Sequence, residues 1–299
     1  MSKLRPTLLL VLLLAALAPS AAHSMIRLSD VGIADQKADM FSDPRFAELG
    51  IKRARIDLAY DVLLDPAQTA ALDQWMADAQ ADGVRVLVTF DRSRRPGRKT
   101  FRPDTYSLVK QFKRLRARYP FVKEWVTWNE PNLSQSASRT AHQWLALRKA
   151  CPSCTILAAD LVDRPNLARW AKTFIRYAHR QPAIWGLHNY ADANQYTPRA
   201  TKALLKAVKG KVWFTETGGV VRRNNGSNVK YKGQSLTHAA KAISYIFTKL
   251  VRLSPRIQRV YLFHWNGRNS SWDSALISPY GKPRPAFNVL ANLLRHLRR

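Results

Sequence analysis

Acidic residues are scarce in this chain. Only 20 Asp and Glu stand against 49 Lys and Arg in 299 residues, a formal charge of +29, which falls by two to +27 if Lys3 and Arg5 leave with the leader described below. Such a charge attracts polyanions and concerns partners, not fold. The basic residues are spread over the helical faces and no nucleic-acid motif is present, so no specific nucleic-acid partner is expected. A solvated basic surface fits this pattern as well as a specific polyanion site does.

Other absences narrow the field further. Residues 28–36 contain only Gly32, so the Gly-rich turn of a nucleotide-binding, doubly wound sheet is missing. No Gly/Ser- or Pro-rich linker, repeat or low-complexity tract interrupts the chain, which predicts one domain over residues 25–299. His142, His179, His188 and His238 lack ligand-like spacing with carboxylates, so neither a metal nor another cofactor is expected. Past the N-terminus no apolar run reaches the ~18 to 20 residues of a membrane-spanning helix. A monomer without a transmembrane segment is expected.

The two cysteines, Cys151 and Cys154, form a Cys-Pro-Ser-Cys string. A thioredoxin-like motif should open a helix after a strand, whereas this pair follows a helical pattern and precedes the strand-like Thr-Ile-Leu-Ala-Ala. A local disulfide suits an exported chain better. Export is suggested by Lys3 and Arg5, an apolar run over 8–18 and a small-residue stretch over 19–24, the three regions of a secretory signal. Residues 1–24 are therefore expected to be a leader, cut near Ala22 or Ser24, and the mature protein to be secreted or held in the cell envelope. The alternative is a true start at Met25.

What remains alternates between two periodicities. Apolar strand-like runs over 25–33, 51–58, 84–90, 122–128, 155–160, 183–188, 211–215 and 257–264 are separated by amphipathic helical patterns, at the spacing of βα units. The first connection, 43–49, is the weakest. Eight such units close most simply into a (β/α)₈ TIM barrel of the α/β class, whose reactive residues lie at the C-terminal ends of its strands. An open doubly wound sheet is the other fold with this pattern.

Two glutamates stand at such ends. Glu130, in Trp-Asn-Glu-Pro-Asn, follows the fourth strand, and Glu216, in Phe-Thr-Glu-Thr-Gly, ends the seventh. From those positions both can converge on the barrel mouth. Glycoside hydrolysis needs such a pair, one carboxyl to protonate the leaving oxygen and one to attack or stabilise the oxocarbenium-like centre.

Asn-Glu-Pro after strand four with a second Glu after strand seven resembles the clan A glycoside hydrolases, retaining enzymes with this barrel, over nearly the whole mature chain. The string and the short barrel are similar to family 5, family 39 and the small β-1,3-glucanase-type families. The resemblance implies that Glu130 is the general acid/base, Glu216 the nucleophile and Asn129 a contact to the sugar 2-hydroxyl. It further implies that Arg55 keeps the nucleophile ionised, that His188 and Tyr190 lie near the same carboxylate, and that Trp265, in Phe-His-Trp-Asn-Gly, is a sugar-stacking platform. A register shift of two would put Arg53 in the place of Arg55 on the same face. Strand three ends Thr-Phe-Asp-Arg-Ser, without the histidine that many clan members carry there.

Asp57, Asp91, Asp160 and Asp163 also lie near strand ends, where they can bind hydroxyls, cap helices or pair with arginine. The loop 218–234, long for a βα connection and rich in Arg and Lys, is expected to frame the cleft. The expected function is secreted glycosidase acting on a carbohydrate substrate, with an anionic cell-envelope glycan as one candidate. The competing class is a barrel that binds carbohydrate or polyanion without turnover.

Overall fold

Runs of Val, Ile, Leu and aromatic residues that are buried on both faces read as parallel strands, and the structure uses them so. The computed structural model describes residues 26–224, 231, 233–267 and 271–298; the leader expected over 1–24 lies outside the described residues. In chain order the elements are β1 (Val31–Ala34), α1 (Pro44–Leu49), β2 (Arg53–Ala59), α2 (Pro66–Ala81), β3 (Arg85–Asp91), α3 (Thr105–Arg118) and β4 (Glu124–Val126). Then come α4 (Pro131–Ser134), α5 (Ala137–Ala150), β5 (Thr155–Leu157), β6 (Asp160–Val162), α6 (Leu167–Ala178), β7 (Ile184–His188), α7 (Tyr190–Gln195) and α8 (Arg199–Ala207). The chain continues through β8 (Lys211–Thr217), β9 (Arg222–Arg223), α9 (Leu236–Tyr245), β10 (Ile257–Phe263), β11 (Trp272–Asp273) and α10 (Pro285–Leu297).

Nine of the strands form one parallel sheet in the order β5-β4-β3-β2-β1-β10-β8-β7-β6. Its two outermost members are consecutive pieces of the expected fifth strand, parted only at Ala158 and Ala159. The Ala158 amide donates to the Ile184 carbonyl and Ala159 accepts from the Gly186 amide, which ties the break to β7 and closes the ring. The fold is a (β/α)₈-type barrel. The short β9 and β11 pair separately, as an antiparallel ribbon over the barrel mouth.

Local signals explain the helix boundaries. Asp65 accepts the Gln68 amide ahead of α2, Pro66 supplies the first helical position, and Gly83 takes φ 63° to release the chain. Asp104, Ser136 and Ser235 cap α3, α5 and α9 in the same way. Cys151, the C-cap of α5, and Cys154, ahead of β5, are bonded to each other at 2.07 Å.

Ala34, Leu87, Val126, Leu157, Trp213 and Tyr261 fill the barrel interior, while a larger apolar layer packs the helices on its outside. Towards the strand starts, Glu124 Oε2 takes Arg259 Nη1 at 2.5 Å and Arg53 Nη1 at 3.6 Å. Arg53 is thus occupied at the bottom of the barrel. Arg55, two residues on and on the same face, rises to the mouth.

Candidate active site

At the mouth, Arg55 is the hub. Its buried guanidinium donates from Nη1 to Glu216 Oε2 at 2.8 Å and from Nη2 to Asn129 Oδ1 at 3.0 Å. Nη2 and Nε also reach Asp160 Oδ2, at 2.7 and 3.2 Å, and Thr89 donates to the same oxygen at 3.0 Å. Asp160, one of four aspartates whose role the sequence left open, is the arginine partner. It is fully buried against Gly186, where a Cβ would come within 1.9 Å of Asp160 Oδ1, so β7 must carry glycine there.

His188, at the end of β7, bridges the cluster. Its Nδ1 lies 3.0 Å from Glu130 Oε1 and its Nε2 lies 3.4 Å from Asp160 Oδ2. Tyr190 donates to Glu216 Oε1 at 3.0 Å. The structure thus brings Arg55, Asn129, Glu130, His188, Tyr190 and Glu216 together in one constellation. Glu130 holds φ 44° and ψ 47°, a left-handed conformation unusual for a residue with a side chain, and immediately precedes the short α4.

Both glutamates line one cleft of about 1130 Å³, with Glu130 31% exposed and Glu216 15%. Burial opposes charge on His188, but Glu216, Asp160 and Glu130 overcome it and raise the imidazole to about 10, so it is protonated at neutral pH. Burial also opposes charge on Glu130, yet the His188 hydrogen bond and charge hold that carboxyl below its ordinary value. For Glu216 burial prevails over the pull of His188 and Arg55, and its carboxyl sits above the ordinary value. The proton nearest to Glu130 therefore resides on His188.

Trp265 is a correction. It is fully buried, donates from Nε1 to Asp43 Oδ2 at 3.0 Å and packs edge-on against Phe46 of α1 and Phe287 of α10. Its ring points out of the barrel into the helical layer and lines no part of the cleft. The aromatic walls are instead Phe263, Tyr231 and Trp272, with Trp272 set edge-on to Tyr190 at 4.7 Å between ring centres. Phe263 lay inside the quoted strand-eight string. Trp272, in β11, lies nine residues past the end of β10 and carried no strand-end signal.

The remaining aspartates divide. Asp57 pairs with Arg94 at 2.7 Å, and Asp163 accepts the Ala191 and Asp192 amides at the head of α7. Burial lifts Asp91 to about 6, with the charge of Asp57 adding to it, and lifts Asp163 to about 8. Asp57 and Asp163 both line the cleft. From the loop 218–234, Arg223 and Tyr231 line it too, with the Arg223 guanidinium 5.2 Å from both the Tyr231 and Trp272 rings. Lys230 and Lys232 lie outside the described residues. Among the described residues no group of three or more His, Cys, Asp or Glu is placed to hold a metal, and no helix is long and apolar enough to cross a membrane.

Comparison with known structures places this architecture. A family 39 glycoside hydrolase from Bacteroides cellulosilyticus WH2 superposes with a TM-score of 0.58 at 16% identity, over 91% of this chain and 64% of that one. The chain thus spans less than two thirds of that relative's length. A GH5_18 structure from Streptomyces cattleya in complex with GlcNAc gives 0.64 at 14% identity, over 93% and 81% of the two chains. A GH128 endo-β-1,3-glucanase from Amycolatopsis mediterranei gives 0.58 at 14% identity, over 88% and 99%. The chain shares the (β/α)₈-type barrel of these glycoside hydrolases. No family model and no curated protein matches the chain.

Proposed function

We propose that the chain is a secreted glycosidase that cleaves β-configured O-glycosidic bonds of a polysaccharide or glycoside by double displacement, with retention. The observation that carries this reading is the division of labour around two glutamates in one cleft: Glu216 is held by a guanidinium and a phenol, while Glu130 is held by a protonated imidazole. A nucleophile needs an aimed, ionisable carboxylate, and an acid needs a proton source. The fold shared with glycoside hydrolases supports the class, and the N-terminal sequence pattern supports export.

In the proposed first step Glu216 attacks the anomeric carbon while Glu130 protonates the departing oxygen. The proton that Glu130 must deliver stands one hydrogen bond away, on His188 Nδ1 at 3.0 Å. Arg55 and Tyr190 hold the two Glu216 oxygens, and Asn129, fixed by the Arg55 Nη2 bond, is placed beside the sugar. In the second step a water oxygen attacks the anomeric carbon as ionised Glu130 takes its proton, and the bond to Glu216 breaks to release the sugar and restore the Glu216 carboxylate.

The resting proton order favours a second assignment. The depressed carboxyl of Glu130 and the raised one of Glu216 are the reverse of what the roles require, so a swap in which Glu216 is the acid must be tested. Azide distinguishes them. With an activated aryl glycoside, Glu130→Ala should form a glycosyl-enzyme on Glu216 and yield a glycosyl azide of retained configuration, while Glu216→Ala should yield the opposite anomer. The reverse distribution would establish the swap. Release of an inverted sugar by the wild type would end the double-displacement reading, and binding with no glutamate-dependent turnover would favour the non-catalytic barrel.

A further inference from the structure

A second basin lies beside the cleft, on the other side of α4. It has a volume of about 820 Å³ and is lined by Arg98, Arg102 and Arg139, with hydroxyls from Thr100, Ser134 and Ser136. No Asp or Glu contributes to its wall. Phe101, 40% exposed, forms an apolar face over which the Arg98 guanidinium sits at 4.2 Å.

Three guanidiniums gather here around one basin without a carboxylate in its wall. Many others in the fold pair with carboxylates, as in Arg45–Asp43, Arg55–Asp160, Arg118–Asp73 and Arg284–Asp273, while Arg256 rests on backbone carbonyls away from this basin. Arg139 Nη1 donates to the Arg102 and Pro103 carbonyls at 3.4 and 3.2 Å, and Arg102 Nη1 donates to the Thr100 carbonyl at 3.2 Å. Among the described residues none of the three has a carboxylate oxygen within 4 Å. The Asp104 carboxyl, which feels the Arg139 charge, spends its Oδ1 on the Ser107 amide at the start of α3. Backbone carbonyls orient a guanidinium without cancelling its charge, so the basin keeps its positive potential. The N-terminus of the 14-residue α5, capped by Ser136, adds to it.

The basin is continuous in chain with the catalytic machinery. Glu130 directly precedes α4, whose Leu133 faces the cleft and whose Ser134 faces the basin. Four residues at ~1.5 Å of helical rise separate Glu130 from Ser134 by only about 6 Å along that axis. Leu133 is 54% exposed, on the ridge between them. A ligand extended from the cleft across this ridge meets three guanidiniums that have no carboxylate in ion-pair contact, hydroxyl groups and one aromatic face.

We propose that this basin is a binding subsite for an acidic sugar residue of a glycan whose neighbouring part occupies the cleft. The anionic group pairs with Arg98, Arg102 and Arg139, and the apolar face of the ring packs on Phe101. This rests on the glycosidase reading for the cleft's occupant, but its test does not require turnover.

Binding of tetragalacturonate, of a sulfated cello-oligosaccharide and of neutral cellotetraose to Glu216→Gln protein is measured by calorimetry at low and moderate salt. An Arg98→Gln/Arg139→Gln pair is then added to the same background, with its melting temperature as a check of fold. The acidic oligomers should bind about 10-fold or more tightly than the neutral one, and the double change should remove that preference while leaving cellotetraose unaffected. Phe101→Ala should weaken both kinds, and without touching the guanidiniums it keeps the question open to measurement if the double variant fails to fold. Whichever of uronate and sulfate binds more tightly identifies the anion. Equal binding of acidic and neutral oligomers would overturn the subsite, as would an acidic preference unchanged by the arginine substitutions. So would tighter, arginine-dependent capture of a single-stranded oligonucleotide. Loss of the acidic preference in a protein that hydrolyses nothing would uphold the subsite and remove only the glycosidase reading.

Discussion

Asp160 Oδ2 and Arg55 Nη2 lie 2.7 Å apart in full burial, and this pair holds the candidate site together. The Asp160 carboxylate is kept well below its ordinary value because, although burial opposes its charge, Arg55 and His188 face it together. A partner removed from a buried pair leaves an uncompensated charge, at a cost of about 3 to 5 kcal/mol. Asp160→Asn should thus lower stability by about that amount. It should also free Arg55 to bind Glu216 more closely, so that kcat falls while KM for a good substrate stays within about twofold. Urea denaturation and steady-state kinetics check both; a variant with unchanged midpoint and kcat would show that Asp160 positions nothing.

His188 carries a pH signature. Its value in the folded chain, about 10, lies above the ~6.5 of an unfolded histidine, so its contribution is complete below ~6.5 and is lost as pH rises through about 10. Stability should decline across that window by an amount on the order of a few kcal/mol, and His188→Gln should flatten the decline. Activity should fall over the same alkaline limb, because the proton beside Glu130 disappears. Melting curves from pH 6 to 10 on both proteins test the sign; a steeper decline in the variant would contradict it.

The two tryptophans should separate cleanly. Trp265→Ala empties a packed site between α1 and α10 and should cost about 3 to 5 kcal/mol, with little effect on KM in whatever fraction remains folded. Trp272→Ala removes an aromatic wall of the cleft and should raise KM with a smaller loss of stability. Denaturation midpoints and Michaelis constants measured on the pair decide the matter, and a raised KM confined to Trp265→Ala would restore its role as the platform.

Unfolded, unreduced protein should show no free thiol, since Cys151 and Cys154 are bonded in the fold. The loop they close is so short that reduction should lower stability by less than the ~2 to 4 kcal/mol usual for disulfides. Two thiols per chain would contradict the first expectation, and a larger loss of stability the second.

Much of this arrangement was legible because it is written locally. Glu130 and Glu216 announce themselves at the ends of buried strands, whereas Asn129, Arg55, His188 and Tyr190 stand out only through the resemblance to a known clan. Trp265 misled for a physical reason: a residue just past a strand end can turn into the mouth or out under the helices. Here Asp35 holds its amide at 2.9 Å and Asp43 its indole, which draws the ring outward. Asp160 was visible only as one of four aspartates, because its distinguishing neighbour, Gly186, lies 26 residues away and marks nothing in sequence. Trp272 reaches the cleft from the two-residue β11 and Tyr231 from the stretch after β9, both too far from a long apolar run for a period of two or of 3.6 to mark them. The fifth strand was read as one piece and is two, since its break at Ala158 and Ala159 leaves the apolar run intact.

Arg53 and Arg55 share one face of β2, and each answers a different carboxylate cluster, Glu124 below and Asp160 with Glu216 above. A one-residue slip of β2 during assembly would turn both guanidiniums into the apolar layer outside the barrel, taking the arginine from Asp160 and Glu216 and leaving Glu124 to Arg259 alone. A two-residue slip would cost either the mouth cluster its arginine or Glu124 the second of its two. Misaligned closure is thereby penalised by charges at both ends of the barrel at once, so the arginine that serves the chemistry also acts as a ruler against which the folding chain is measured.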